Sequence, residues 1–158
     1  MTSSSANINV EGDTEYSFII PQYPTPPSVA TNTADNITGI SAIIRGSLTS
    51  RGTASSANVS FQWGTLSGNL TQETASQVMG STGNFSANLS SLSSNTTYYF
   101  RAKAVGDGTS YGNELSFTTK ALVSINITPA NPLLLPGRTQ QFNASGTYSD
   151  NSTANITG

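Results

Sequence analysis

The residue type most insistently placed for chemistry is asparagine. Asn followed by a non-Pro residue and then Ser or Thr occurs at Asn36, Asn58, Asn69, Asn84, Asn88, Asn95, Asn126, Asn143, Asn151 and Asn155, ten of the fifteen Asn. Ser and Thr make up roughly 30% of the chain, so composition alone would give about four or five such triplets, and the excess is about twofold. The pattern is that of acceptors for N-linked sugar, which must be exposed. Period-two phase sets Asn58, Asn84, Asn88, Asn126, Asn143 and Asn155 on the solvent side of strands, each beside an inward apolar residue. The reading is of covalent glycans; the plainer alternative is idle motifs in a Ser/Thr/Asn-rich chain.

Other chemistry is scarce. With no Cys and no His, disulfides, thiolate nucleophiles, imidazole bases and the common zinc and iron ligand sets are absent. A Ser nucleophile would have only Lys103 or Lys120 as base, and neither shares a recognisable motif. Paired acids for glycoside hydrolysis need a cleft that a small sandwich hardly offers. Asp35, Asp107 and Asp150 stand in turn contexts. Glu11, Asp13 and Glu15 alternate and offer calcium weak ligation without Gly spacing or carbonyl-rich loops, so a solvated face is the favoured reading. No catalytic, cofactor or metal residue is assigned, and the chain is read as non-enzymatic. Tyr99 and Tyr111 are candidates for stacking on a sugar ligand, though shielding of neighbouring strands is the preferred role.

The elements that must carry these residues are strands. In Leu92 to Ala104 a turn feeds a strand with Tyr98, Phe100, Ala102 and Ala104 in one phase and Tyr99, Arg101 and Lys103 in the other, the alternation of an antiparallel sheet with one buried face. Upstream, Val29 opens the pattern; Ala42, Ile44, Gly46 and Leu48 share a phase; Ser50-Arg51-Gly52 turns the chain; and Val59, Phe61 and Trp63 precede Gly64. Trp63 is expected between the sheets. A weaker strand follows around Leu70 to Met79. Phe85, Ala87 and Leu89 alternate next, and Gly106-Asp107-Gly108 turns into Tyr111, Leu115 and Phe117. About seven strands over residues 28–119 predict a β-sandwich.

The phrases SAIIRGSLTS, VSFQWG and TTYYFRAKAVGDGTSYGNELSFTT resemble a fibronectin type III-like module frequent in large prokaryotic surface proteins. The resemblance implies that Tyr98 closes a corner by a hydrogen bond to backbone just upstream, with Leu92 and Phe100 in the core. Trp63 departs from the animal family, whose Trp lies on the second strand, and marks a divergent branch.

From Ala121 the pattern restarts with Val123, Ile125 and Ile127, then Pro129, Leu133 to Leu135, Pro136-Gly137, Phe142, Ala144 and Tyr148. LVSINITPANPLLLPGRTQQFNASGTYSDNSTANITG resembles the first half of a bacterial immunoglobulin-like domain of group 2, a family that needs roughly twice the length. Asn151 stands where that family often has Gly, which Asn replaces because it tolerates positive φ. Residues 121–158 are thus expected to form an incomplete domain with an unpaired edge.

Residues 1–27 carry two strand signals, Ile8 with Val10 and Tyr16, Phe18 with Ile20, and then the stiff linker PQYPTPP. Two such strands cannot bury a core alone. They are expected to complete a half-domain of a neighbouring copy, or of the next repeat in a longer tandem chain; the plainer alternative leaves both ends merely packed nearby.

Only 9% of residues are charged, against about 25% in an ordinary soluble domain. A net charge of -2 with six scattered Lys and Arg excludes nucleic acid as partner. No apolar run approaches the roughly 18 residues of a membrane span, and Met1-Thr-Ser-Ser-Ser does not read as a signal peptide. The chain is expected to be a processed piece or part of something longer. The expectation is tandem immunoglobulin-like and fibronectin type III-like β-sandwiches of an extracellular, cell-surface protein. Their work would be mechanical: a filament or surface-layer subunit joined to copies of itself head to tail by strand complementation. An adhesion or carbohydrate-binding module and a spacer of a large secreted protein are the alternatives.

Overall fold

The computed structural model describes residues 22–157, together with the backbone of two short strands, β1 (Ser4–Ile8) and β2 (Tyr16–Ile20), which pair antiparallel. The chain is all-β; no helix occurs among the described residues. From Ser28 it lays down β3 (Ser28–Asp35), β4 (Ala42–Ser50), β5 (Ala57–Gly64), β6 (Gln72–Glu73), β7 (Gln77–Met79), β8 (Gly83–Leu89), β9 (Thr97–Val105), β10 (Thr109–Tyr111) and β11 (Leu115–Thr118). One sheet has the order β3-β4-β8. In the other, β5 and β9 are central, β6 and β7 run along the outer edge of β5, and β10 and β11 along the far edge of β9. The expected seven strand paths are present, two of them broken in the middle.

One break has a visible cause. Between β10 and β11, a Cβ on Gly112 would lie 2.4 Å from Thr31 Oγ1 and 2.6 Å from Thr31 N. Only Gly lets β3 come this close, and there the Thr31 hydroxyl accepts the Ala102 N–H at 2.9 Å. The two sheets are stitched along this edge.

Alternation builds the core. Tyr98, Phe100, Ala102 and Ala104 are buried, with Val59 and Phe61 beside them on β5 and Ile44, Leu48, Phe85 and Leu92 completing the core. The rings interlock: Phe61 and Phe85 have centroids 4.9 Å apart, and Tyr98 stacks on Phe117 at 5.6 Å. At the corner before β9 the Ser93 N–H donates to Tyr98 Oη at 2.9 Å, as the resemblance implied. Thr119 locks the same corner, its hydroxyl donating to Ser93 O at 2.6 Å and accepting from Thr96 N–H at 3.0 Å.

Two expectations need correction. Trp63 lies half-buried at the margin of the core, its ring 5.9 Å from Tyr98; it is the penultimate residue of β5, and an indole is too large to be covered fully there. Asp35 is the last residue of β3 rather than part of a turn, and its carboxylate accepts from Arg45 Nε on β4 at 2.6 Å.

Beyond Thr119 the chain forms β12 (Leu122–Thr128), β13 (Asn143–Tyr148) and β14 (Thr153–Asn155), a three-stranded sheet in that order. Lys120 joins it to the sandwich. Its N–H donates to Thr38 O at 2.9 Å, and its Nζ reaches Asp150 Oδ2 at 2.8 Å and Ser152 Oγ at 3.2 Å.

Candidate functional site

The register of the third sheet separates two chemistries. Ile127 faces Ala144 across the β12–β13 pair, Ile125 faces Gly146, and Ala154 of β14 lies opposite Gly146 on the other side. Leu122 and Ile156 join this face: a Cβ on Gly146 would lie 2.6 Å from Leu122 Cδ1 and 3.4 Å from Ile156 Cδ1. The opposite face carries the rows Ser124, Thr147, Thr153; Asn126, Ser145, Asn155; and Thr128, Asn143. Alternation with a one-residue bulge at Val123 produces this split.

Nothing among the described residues covers the apolar face. Ile125 is 56% and Ile127 52% exposed, where Ile44 and Val59 of the sandwich are at 0%. Leu133, Leu134, Leu135 and Phe142, on the connection from β12 to β13, are exposed as well. A face of this kind is ordinarily an interaction surface.

All ten sequon asparagines are exposed, and none of their side-chain amide nitrogens donates a hydrogen bond. Asn32, outside any sequon, donates its Nδ2 to Ser47 Oγ at 2.7 Å. Asn36, Asn95 and Asn151 adopt left-handed φ of 47°, 50° and 62° at turns, so the substitution of Asn for Gly at 151 is accommodated as read. Asn58, Asn84, Asn88, Asn126, Asn143 and Asn155 lie on strands with the outward phase expected. The hydroxyls two residues on are not equivalent: Ser60, partner of Asn58, is 3% exposed and donates to Glu73 Oε1 at 2.7 Å.

The remaining candidates separate. Lys103 and Lys120 are held by Glu73 at 3.0 Å and Asp150 at 2.8 Å, and Ser152, whose Oγ lies 3.2 Å from Lys120 Nζ, donates its hydroxyl to Asp150 Oδ1 at 2.5 Å. Burial pushes the Glu73 carboxyl up, but hydrogen bonds from Ser60, Lys103 and Gln62 outweigh it and leave it below its usual value. The Lys120 ammonium, followed by the Ser152 hydroxyl, holds Asp150 well below the usual carboxylate range. Asp107 does sit in a turn, accepting from Thr53 Oγ1. Tyr111 lies under Arg101, whose Cζ is 4.1 Å from the ring centroid, so one face of the ring is already occupied. Tyr99 lines an open groove of about 650 Å³ between the ends of β3 and β11, with Ile37, Glu114 and Phe117. Glu11, Asp13, Glu15 and Val10 lie outside the described residues, as do the side chains of Ile8, Tyr16, Phe18 and Ile20. Among the described residues no cluster of three or more acidic side chains is placed to hold a metal, and no helix is long and apolar enough to cross a membrane.

Sequence reasoning missed Thr31, Thr119 and the junction of Lys120 with Asp150 and Ser152. Single Ser and Thr side chains in a chain full of them carry no distinguishing signal. The acid-base pair Lys120 and Asp150 is the exception, since charges are rare enough here that two flanking one hairpin invite pairing.

No family model matches the chain. Ice-binding protein 1 of Shewanella frigidimarina (strain NCIMB 400) is 43% identical over 54 residues, which is 34% of this chain and only 6% of that protein's length. The sensor domain of the anti-sigma factor RsgI4 in Pseudobacteroides cellulosolvens, in its short form, superposes with a TM-score of 0.51 at 25% identity, covering 60% of this chain and 95% of that one. The solution structure of the same sensor domain gives a TM-score of 0.50 at 22% identity, over 73% and 94% of the two chains. The two superpositions agree with the β-sandwich.

Proposed function

We propose that the chain is a non-enzymatic structural module of an extracellular surface protein. Its third sheet would be completed by the β1–β2 hairpin of a neighbouring copy, or of an adjacent repeat in a longer chain. One observation carries the reading: the same chain holds a three-stranded sheet with an uncovered apolar face and a two-stranded hairpin that pairs with no other described strand. A two-stranded hairpin is marginally stable at best alone, and the three-stranded sheet leaves its apolar face to water.

The dimensions match. The hairpin strands have five residues each, about 17 Å, against seven and six residues, about 20 Å or more, in β12 and β13. The hairpin register pairs Ile8 with Tyr16 and Ala6 with Phe18, so the sequence puts the apolar positions of both strands in one phase. Stacked sheets bury such phases against each other. Covering a half-exposed Ile or Leu contributes roughly 1 kcal/mol each.

The sheet order and the Tyr98 corner support a fibronectin type III-like identity for residues 28–119, and the uncovered sheet supports half of an immunoglobulin-like domain for 121–158. An outward-facing setting draws support from the names of the similar proteins, an ice-binding protein and a sensor domain. Deleting residues 1–20 tests the assembly: the full chain is expected to form polymers by sedimentation and negative-stain microscopy, and the truncated chain to remain monomeric. Polymers of unchanged length after the deletion would refute head-to-tail complementation.

The groove beside Tyr99 favours a second reading, a carbohydrate-binding module. Binding of an oligosaccharide panel that is lost in Tyr99→Ala would move the conclusion there.

A further inference from the structure

We infer that this chain is an N-glycoprotein whose folded form selects among its own sequons: Asn36, Asn69 and Asn151 are acceptors, and Asn58 is not. The inference is independent of strand complementation. The transfer needs two groups in reach of one transferase, the asparagine amide and the hydroxyl two residues on, since the acceptor pattern is defined by both. In the reaction the amide nitrogen attacks the anomeric carbon of a sugar carried on a lipid pyrophosphate. The nitrogen–carbon bond forms, the carbon–oxygen bond to phosphate breaks, the lipid pyrophosphate leaves with the electron pair, and one amide proton passes to the transferase.

At three places the fold offers both groups off the strand ladders or at their margin. Asn36 sits just past β3 at φ 47° with Thr38 exposed, the Thr38 hydroxyl bonded only within its own turn, to Ile40 and Ser41. Asn69 closes the turn at Ser67-Gly68 and Thr71 follows it just before β6, both exposed. Asn151 is at φ 62° in the β13–β14 turn, with exposed Thr153 opening β14. Their amide nitrogens make no hydrogen bond that glycosylation would have to break, and all three asparagines are exposed.

Asn58 differs although it is exposed. It lies mid-sheet on β5, paired with β7 on one side and β9 on the other, and its Ser60 hydroxyl, on the same outer face, is covered by Glu73 and donated to it. To be read, β5 would have to leave the sheet. The strand sites Asn126, Asn143 and Asn155 are intermediate, since their hydroxyl partners are exposed but the backbone is held in the ladder. They line the polar face of the third sheet, so glycans there leave its apolar face free.

Glycopeptide mapping of the protein purified from its source tests this site by site. The expected result is hexose- or hexosamine-bearing peptides at Asn36, Asn69 and Asn151 and an unmodified Asn58. The combined variant Asn36→Gly, Asn69→Gln, Asn151→Gly, in which Gly keeps the left-handed turns, should lose those mass increments and retain the thermal unfolding profile of deglycosylated protein. Unmodified asparagine at all three sites would overturn the inference, and so would occupancy of Asn58 equal to theirs.

Discussion

Ile44 of β4, opposite Ala87 of β8, and Ile125 of β12, opposite Gly146 of β13, are each a β-branched residue in an alternating strand beside an antiparallel neighbour. Ile44 is wholly buried and Ile125 is 56% exposed. Alternation therefore defines which face is apolar, while burial requires a second sheet to lie on it. The sandwich supplies its own second sheet from β5, β9 and their flanking strands. The β12–β14 sheet does not find one among the described residues.

The largest expected effect follows directly. Ile44→Ala should destabilise the sandwich by about 2–5 kcal/mol, the range for truncating a buried aliphatic side chain. Ile125→Ala should cost less than about 1 kcal/mol in monomeric protein lacking residues 1–20, since little buried surface is lost. In the assembled full chain its cost should rise toward that of Ile44→Ala. Denaturant unfolding of both variants in both forms makes the check; equal costs in the monomer would erase the distinction between the sheets.

Two glycines sharpen it next. A Cβ on Gly46 would lie 2.7 Å from Phe85 Cζ and 3.1 Å from Ala30 O, inside the packed sandwich, whereas one on Gly146 meets the tip of half-exposed Leu122 at 2.6 Å. Gly46→Ala is expected to cost about 1–3 kcal/mol through overpacking, and Gly146→Ala to change stability by no more than about 0.5 kcal/mol because Leu122 can swing away. Thermal melts of the pair should differ accordingly.

A smaller effect belongs to the corner. Tyr98→Phe keeps the ring on Phe117 and removes only the acceptor of the Ser93 N–H, for a loss of about 1 kcal/mol.

The smallest concerns the junction between the two sheets systems. Asp150 is held below its usual range when folded, so its ionised form is favoured by folding. Its contribution is present above the ordinary carboxylate value of about 4 and fades as pH falls through the depressed folded value. The stability difference between the native chain and Asp150→Asn should be flat above about pH 5 and shrink only in stronger acid. A difference that grew on acidification would contradict the Lys120 pairing.

Much of the sandwich was legible because its strands carry strong period-two signals and its corner carries a distinctive Leu92 and Tyr98. The breaks between β6 and β7 and between β10 and β11 were not, since they depend on what packs across the edge, as Thr31 does at Gly112. Trp63 was read too deep because phase reports a residue's face but not its distance from the strand's end. Asp35 was read as a turn residue because its partner Arg45 lies across a strand pair, ten residues on. For the candidate acceptors, exposure of each Asn followed from phase. The burial of Ser60 followed from a contact with Glu73 that no local pattern announces.

The central claim is that the apolar face of the β12–β14 sheet is covered by residues 1–20 of another copy or repeat. Amide hydrogen exchange over residues 122–128, compared between the full chain at high concentration and the chain lacking residues 1–20, tests it most directly. The account predicts strong protection in the first and rapid exchange in the second, with protection restored when a peptide of residues 1–20 is added. Equal protection in the truncated monomer, unaltered by the peptide, would show that the sheet needs no partner and would contradict the account.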